Sequence, residues 1–333
     1  MDSLTQIVLG AAVGEAVLGK KIGNKALLYG AIGGTIPDLD VFSGVFTDTI
    51  TAIEIHRGFS HSIVFAIIVA PILGWLVNTL ERKQQLGWKP WSKLFFWSLL
   101  THPLLDAFTT WGTQLFWPFQ IKTAFNTIFV IDPFYTLPFL FCCIAMLFCK
   151  RESKRRRRFN RFGLILSTTY LFSTLILKSV AHKKIENALK NQGIAYTAIS
   201  TRPAPLNTIL WNANIDTKEE YLMTDYSFFD TKPIRFTTYP KHRKKSEVFM
   251  NYTNVQRLIA ISDGWYIMEQ KEGQWYFNDL RFGVIPRKDG SSFFTFSYLL
   301  KEKEGKIQAT EVPKTGRDAQ FLMQTLWDRV KGN

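Results

Sequence analysis

The 333-residue chain carries 41 Lys and Arg against 27 Asp and Glu, and 47% of its residues are hydrophobic. That length accommodates two domains, and the apolar content, with 15% aromatic residues, excludes a disordered chain. The three cysteines, Cys142, Cys143 and Cys149, lie in one apolar run without a CxxC spacing, which excludes a disulfide framework and a thiolate metal site as organising themes.

From the start of the chain, Ser3 and Gln6 read as a capping box opening an apolar run. No basic segment precedes that run and no cleavage-like site follows it, so a secretory signal is not expected. Leu4–Gly19 and Ala26–Ile36 are short and rich in glycine. Gly10, Gly14 and Gly19 permit close backbone approach, so a tight hairpin is expected, with re-entrant segments as the alternative. Glu15 is an ionisable group inside the first run. Its partner is left open, a cation at a neighbouring helix end being one choice.

Ile63–Leu80, Phe134–Cys149 and Phe162–Leu177 are the clearest expected spans, each near the length that a hydrocarbon core of about 30 Å requires. Lys93–Phe108 is a further candidate that contains His102 and Asp106. The basic residues are segregated: three cations lie in 20–25, four in 82–93 and eight in 150–161. Short basic loops between apolar runs mark the cytoplasmic side of a membrane protein. The Lys154–Arg158 run is expected to face solvent or lipid headgroups, and nucleic acid is not the expected partner. With the basic loops inside, loops 37–61 and 109–133 fall outside, and they hold only Arg57 and Lys122 as cations.

Residues 182–333 read as a soluble α+β domain. Strands are expected at Asn207–Ile215, Tyr221–Phe229, Ile234–Tyr239, Trp265–Gln270, Gln274–Phe282 and Ser292–Leu299, and helices at Ser246–Ile259 and Arg317–Val330. His242, within a basic run, is not expected to be a ligand. The fold class is therefore an α-helical multi-pass membrane domain, residues 1–181, followed by a small extracytoplasmic α+β domain, residues 182–333.

The chemistry concentrates in Pro37-Asp38-Leu39-Asp40, His56-Arg57-Gly58-Phe59-Ser60-His61-Ser62 and His102-Pro103-Leu104-Leu105-Asp106, joined by Asp132-Pro133. The threading by Lys and Arg alone places all of these at or near the outer face. His102 and Asp106 are four apart and share a helical face. Gly58 allows the chain to turn between His56 and His61, with Ser60 capping the next helix. Asp38 and Asp40 suit an extended or turn segment. Carboxylates near a bilayer must be neutralised, and Arg57 and Lys122 are too few to do so. A divalent metal held by Asp38, Asp40, His56, His61, His102 and Asp106 is the expectation. Imidazole and carboxylate ligands suit zinc first, with manganese or iron(II) as alternatives. Taken singly, the bland roles are helix capping by Asp38 and Asp132 and interfacial placement of each histidine.

These motifs, together with Met1-Asp2-Ser3-Leu4-Thr5-Gln6, resemble the YdjM-like membrane-bound metal-dependent hydrolases of bacteria over residues 1–180. Many members of that family carry His where this chain has Gln6, so a ligand from the first helix is not carried over. The resemblance implies a hydrolase with Asp38, Asp40, His56, His61, His102 and Asp106 at its metal site. A distant similarity of the His-plus-Asp helix to zinc-dependent phospholipase C enzymes points toward phosphoesters. The expected function is hydrolysis of a phosphoester or lipid-linked substrate at the extracytoplasmic inner-membrane surface, with membrane lipids as surroundings. Asp132 is the candidate general base and Arg57 the candidate binder of an anionic group. The alternatives are a non-enzymatic scaffold with a structural metal and an ion or proton transporter.

Overall fold

The computed structural model describes residues 1–119, 121–303, 305–314 and 318–333. In chain order it contains α1 (Ser3–Ile22), α2 (Asn24–Thr35), a 3-10 segment (Ile36–Val45), α3 (Thr49–Ile55), α4 (Ile63–Leu80), α5 (Trp88–Asp106), α6 (Pro133–Leu147) and α7 (Lys154–Asn191). There follow β1 (Ala198–Pro203), β2 (Leu210–Asp216), β3 (Glu220–Ser227), β4 (Thr237–Pro240), α8 (Arg243–Ser246), α9 (Thr253–Ile261), β5 (Tyr266–Lys271), β6 (Gln274–Pro286), β7 (Ser292–Lys303), β8 (Lys306–Glu311) and α10 (Ala319–Val330). The chain divides into two compact units. One comprises residues 1–43, 55–176 and 205–207, and the other 44–54, 177–204 and 208–333. Helix α7 passes from the first unit to the second, and the segment 44–54, from the expected outer loop, belongs to the second.

In the first unit α1, α4 and α6 begin at capping side chains, whereas α2 and α5 start after glycine. Asp2, not Ser3, caps α1: its carboxylate accepts from the Thr5 N–H at 3.1 Å and the Thr5 hydroxyl at 2.6 Å. Ser62 caps α4 through the Phe65 N–H at 3.1 Å. Asp132 caps α6, with Pro133 in the first turn, where its missing N–H is harmless. α1 and α2 pack backbone to backbone. A Cβ on Gly10 would collide with the Gly30 carbonyl, and one on Gly34 with the Gln6 carbonyl.

Glu15 finds its partner across 141 residues in Arg156, whose Nε and Nη2 donate to the two carboxylate oxygens at 2.7 and 2.6 Å. The same guanidinium donates to Asn24 and to the Met146 and Cys149 carbonyls, so it ties α1, α2, α6 and α7 together. Lys25 pairs with Glu81, and Arg151 donates to the Lys21 carbonyl. These contacts gather the basic ends of α1, α4 and α7 with the start of α2. The opposite ends of α2, α4 and α5 carry the His and Asp motifs, with the start of α1 beside them.

Among the described residues, Ile63–Leu80 and Lys154–Asn191 are the helices long and apolar enough to cross a membrane, and Pro133–Leu147 is apolar but shorter. α1, α2 and α5 are interrupted by glycine, charge or histidine and fall short of that standard.

The second unit holds two four-stranded antiparallel sheets, ordered β1-β2-β3-β4 and β5-β6-β7-β8. The end of α7 packs on the first sheet: Ile185 and Leu189 meet Ala213, Ile215 and Leu222. α9 packs on the second sheet through Val255 and Leu258, against Met268, Phe277 and Tyr298, with Ile50 of α3 in the same core. β1 and β8 were not expected. Both are edge strands, where polar residues such as those of β8 and a terminal Pro203 are tolerated. The expected helix at Ser246–Ile259 is broken: α8 ends at Ser246 and α9 starts at Thr253. The last helix runs Ala319–Val330, and its expected start at Arg317 lies outside the described residues.

Candidate metal centre

Four side chains converge where α2, α4 and α5 meet the loops. His102 and Asp106 sit one turn apart on α5, Asp38 comes from the 3-10 segment that continues α2, and His61 immediately precedes the α4 cap. The Nε2 atoms of His61 and His102 lie 3.1 Å apart. Asp38 Oδ1 lies 3.4 and 3.3 Å from these two nitrogens, and Asp106 Oδ2 lies 3.6 and 3.8 Å from them. All four ligand atoms fall within 4.8 Å of one another. A tetrahedral ion with bonds of about 2.1 Å has ligand-to-ligand edges of about 3.4 Å. The cluster can therefore hold a metal ion without large movement.

The outer atoms of the histidines explain why an ion fits. His102 Nδ1 lies 2.6 Å from the Gly34 carbonyl, which can only accept, so that nitrogen carries the hydrogen. His61 Nδ1 lies 3.2 Å from Asp40 Oδ2 and takes the same role. Both Nε2 atoms then turn lone pairs toward each other and toward two carboxylates. Such an arrangement repels itself unless a cation or proton sits in the middle. Asp106 adds to the case. Its Oδ1 receives the Met1 amino group and Gln6 Nε2, while the buried Oδ2 has no hydrogen-bond partner. A buried acceptor left unpaired is costly, and a cation would satisfy it.

The other candidates fall around this group. Asp40 binds His56 Nδ1 at 2.7 Å, the Arg57 N–H at 3.0 Å and the Ser60 hydroxyl at 2.6 Å, besides His61. Burial pushes the Asp38 and Asp40 carboxyls up, but the facing histidines outweigh it and leave both well below the usual carboxylate range. His56 stands outside the four-residue group, its ring edge-on to His61 at a centroid distance of 5.9 Å. Arg57 is buried, with a left-handed backbone at φ 65°. Its Nη1 donates to Thr109 at 2.9 Å and its Nε lies 3.5 Å from Asp106 Oδ2. Asp132 is engaged elsewhere: Oδ1 accepts from the Phe134 and Tyr135 N–H groups, and Oδ2 accepts from the Tyr170 hydroxyl at 2.9 Å. Burial raises the Asp132 carboxyl above its ordinary value despite these bonds.

Gln6 was expected to close a capping box. Instead its amide donates to Asp106 at 3.0 Å and the His102 carbonyl at 3.3 Å, behind the ligand group. The Gly34 carbonyl and Gln6 support the site without a side-chain spacing that could have announced them.

The first unit thus combines an apolar helix long enough to cross a membrane with a buried His and Asp cluster that could hold a metal ion. The chain belongs to the YdjM inner membrane protein family, whose model matches residues 1–181. It is 32% identical to "Inner membrane protein YbcI" of Escherichia coli (strain K12) over 144 residues, which cover 41% of this chain and 82% of that protein. It is 29% identical to "Uncharacterized protein YfhP" of Bacillus subtilis (strain 168) over 145 residues, 40% of this chain and 42% of that protein's length. No solved structure matches the chain.

Proposed function

We propose that the protein is a multi-pass membrane metallohydrolase that cleaves a phosphoester or lipid-linked substrate at the extracytoplasmic surface. The observation that carries this reading is the convergence of His61 Nε2, His102 Nε2, Asp38 Oδ1 and Asp106 Oδ2 within 4.8 Å. In this proposal those four atoms hold a divalent ion, zinc first on ligand chemistry. When bound, such an ion polarises a phosphoryl or carbonyl oxygen and brings the ionisation of water toward neutral pH.

The chain's own residues do the rest. Asp40 and the Gly34 carbonyl hold the two rings so that Nε2 faces inward. Thr109 and Asp106 anchor the Arg57 guanidinium beside the cluster, where it neutralises charge and receives an anionic group of the substrate. Asp132 serves as the α6 cap, and no proton transfer is routed through it. The side chain of Asp38 is 20% exposed while those of the other three are fully buried, so access is from the Asp38 side. That access supports a hydrolytic site over a sealed structural one.

The threading follows from charge. The basic loops gather at one end of the helices and the site lies at the other, so basic loops inside put the site outside. A site at bilayer level suits a substrate that lives in the membrane.

The test is to purify the full chain in mild detergent and measure bound metal. Stoichiometric zinc, manganese or iron is expected, with loss of metal from folded His61→Ala and His102→Ala variants. Wild type without metal, or both variants retaining it, sinks the site. A metal-loaded protein that releases no product from a panel of phosphoester lipids removes the hydrolase and leaves the site.

A further inference from the structure

The basic end of the helical unit carries a concentration of unpaired charge. The loop before α7 docks on the α1–α2 turn: Arg151 donates to the Lys21 carbonyl at 3.1 Å, and Asn24 donates to the Leu147 carbonyl at 3.2 Å. Two cations of this end are neutralised within the fold, Arg156 by Glu15 and Lys25 by Glu81. Lys20, Lys21, Lys150, Lys154, Arg155 and Arg158 are exposed and make no ion pair among the described residues. Glu152, the one acid of that loop, is 82% exposed and reaches only Arg151, at 3.6 Å. The face thus holds a strong surplus of positive charge that only an outside partner can offset.

The depth of these cations identifies the partner. α7 carries Lys154, Arg155 and Arg158 in its first turns and then exposes Phe162 and Ile165. At 1.5 Å per residue the charges lie about 6–12 Å from the first outward apolar side chains. The headgroup layer is about 5–8 Å thick on each side of the hydrocarbon, so Arg158 falls within it and Lys154 and Arg155 at or just beyond its outer edge, within reach of lipid phosphates by their long side chains. A duplex nucleic acid would need the charges clear of the bilayer, not against it.

We propose that this face binds anionic phospholipid headgroups, through Lys20 and Lys21 on one side and Lys154, Arg155 and Arg158 on the other. The proposal stands apart from the metal centre and from any hydrolytic activity.

The test uses the full chain in mixed micelles containing phosphatidylglycerol or phosphatidylcholine with identical acyl chains. Bound lipid is counted by native mass spectrometry, and melting temperature is followed in parallel. Retention of phosphatidylglycerol at least about tenfold above phosphatidylcholine is expected, with the preference weakening as salt is raised. A K20Q/K21Q/R155Q/R158Q variant, which leaves the buried Arg156 untouched, is expected to lose that preference while melting near wild type. Equal retention of the two lipids by wild type overturns the proposal. So does a variant that melts normally and keeps the preference. Displacement of the anionic lipid by a short DNA duplex at moderate salt overturns it in favour of a nucleic-acid surface. If the variant fails to fold, the headgroup and salt dependence of the wild type still decide.

Discussion

Asp40 holds the Nδ1 edge of His61 at 3.2 Å, while the Nε2 edge of the same ring faces His102 at 3.1 Å. A carboxylate behind an imidazole fixes its tautomer and raises its basicity, so its removal weakens a metal site without abolishing it. Asp40→Asn is therefore expected to lower metal affinity by about 10–100-fold. Competition with a chelator of known affinity measures this. An unchanged affinity would show that Asp40 does not orient His61.

Acid should release the ion. Burial alone would lower the His61 pKa, but the adjoining Asp38 and Asp40 carboxylates favour the protonated ring, reverse the sign and leave it raised. A proton and a cation compete for the same Nε2, and a raised pKa means the proton competes up to higher pH. Metal retention is thus expected to be full at alkaline pH and to fall on acidification, beginning above the pH at which an ordinary imidazole protonates. Equilibrium dialysis at stepped pH checks it, and retention independent of pH would count against His61 as a ligand.

Glu15 and Arg156 form a fully buried, two-point ion pair. Removing one partner strands the other charge, at a cost of about 3–5 kcal/mol. Glu15→Gln should lower the melting temperature in detergent sharply, and Glu15→Leu with Arg156→Met should recover most of the loss. A double variant no better than the single would mean that the hydrogen bonds of Arg156 to Asn24, Met146 and Cys149 matter more than the pair.

The α1–α2 contact leaves no room for a side chain at Gly30, where a Cβ would meet the Gly10 carbonyl. Gly30→Val must push the two helices apart, and a destabilisation of about 3 kcal/mol is expected. Gly87, whose Cβ would meet nothing within 4 Å, is the control at a position of positive φ. Substitution there should cost only its backbone strain.

Asp230 pairs with Arg329 through two contacts of 2.6 Å and so fastens α10 to the end of β3. Burial raises the Asp230 carboxyl, and the Arg329 hydrogen bond more than offsets this, so its net pKa is lowered. A depressed carboxyl contributes stability above its unfolded value, about 3.9, and loses it as pH falls through the lower folded value. Asp230→Asn should flatten that part of the acid limb of unfolding while reducing stability at neutral pH. An acid limb identical to wild type would exclude the pair as a contributor.

Much of the site could be read directly because its parts follow simple periodicity. His102 and Asp106 share a face at a spacing of four on any α-helix, and Gly58 lets the chain turn so that His61 comes in. Asp38 and Asp40 show where that reading stops. They lie on a 3-10 segment and point apart, one to the imidazole Nε2 atoms and one to His61 Nδ1. A segment of that type leaves little trace in residue pattern. Gln6 looked like a cap because a capping box is local, whereas its actual contact, Asp106, is 100 residues away. Arg156 was hidden among like charges, since nothing in a run of basic residues marks the one that turns inward. The same holds in the second unit, where the aromatic strands announced themselves and the polar edge strands β1 and β8 did not.

The clasp between α1 and α7 also sets an order of events on the ribosome. Glu15 emerges early, yet the arginine that neutralises it lies 141 residues downstream. At about 5–20 residues per second, an interval of about 7–28 s separates their synthesis. For that time the first helix carries a bare acid that it cannot bury, so it cannot settle into its final place. A nascent chain cut short before Arg156 should stay loosely held and be cleared by membrane proteases, whereas one carried just past it should persist.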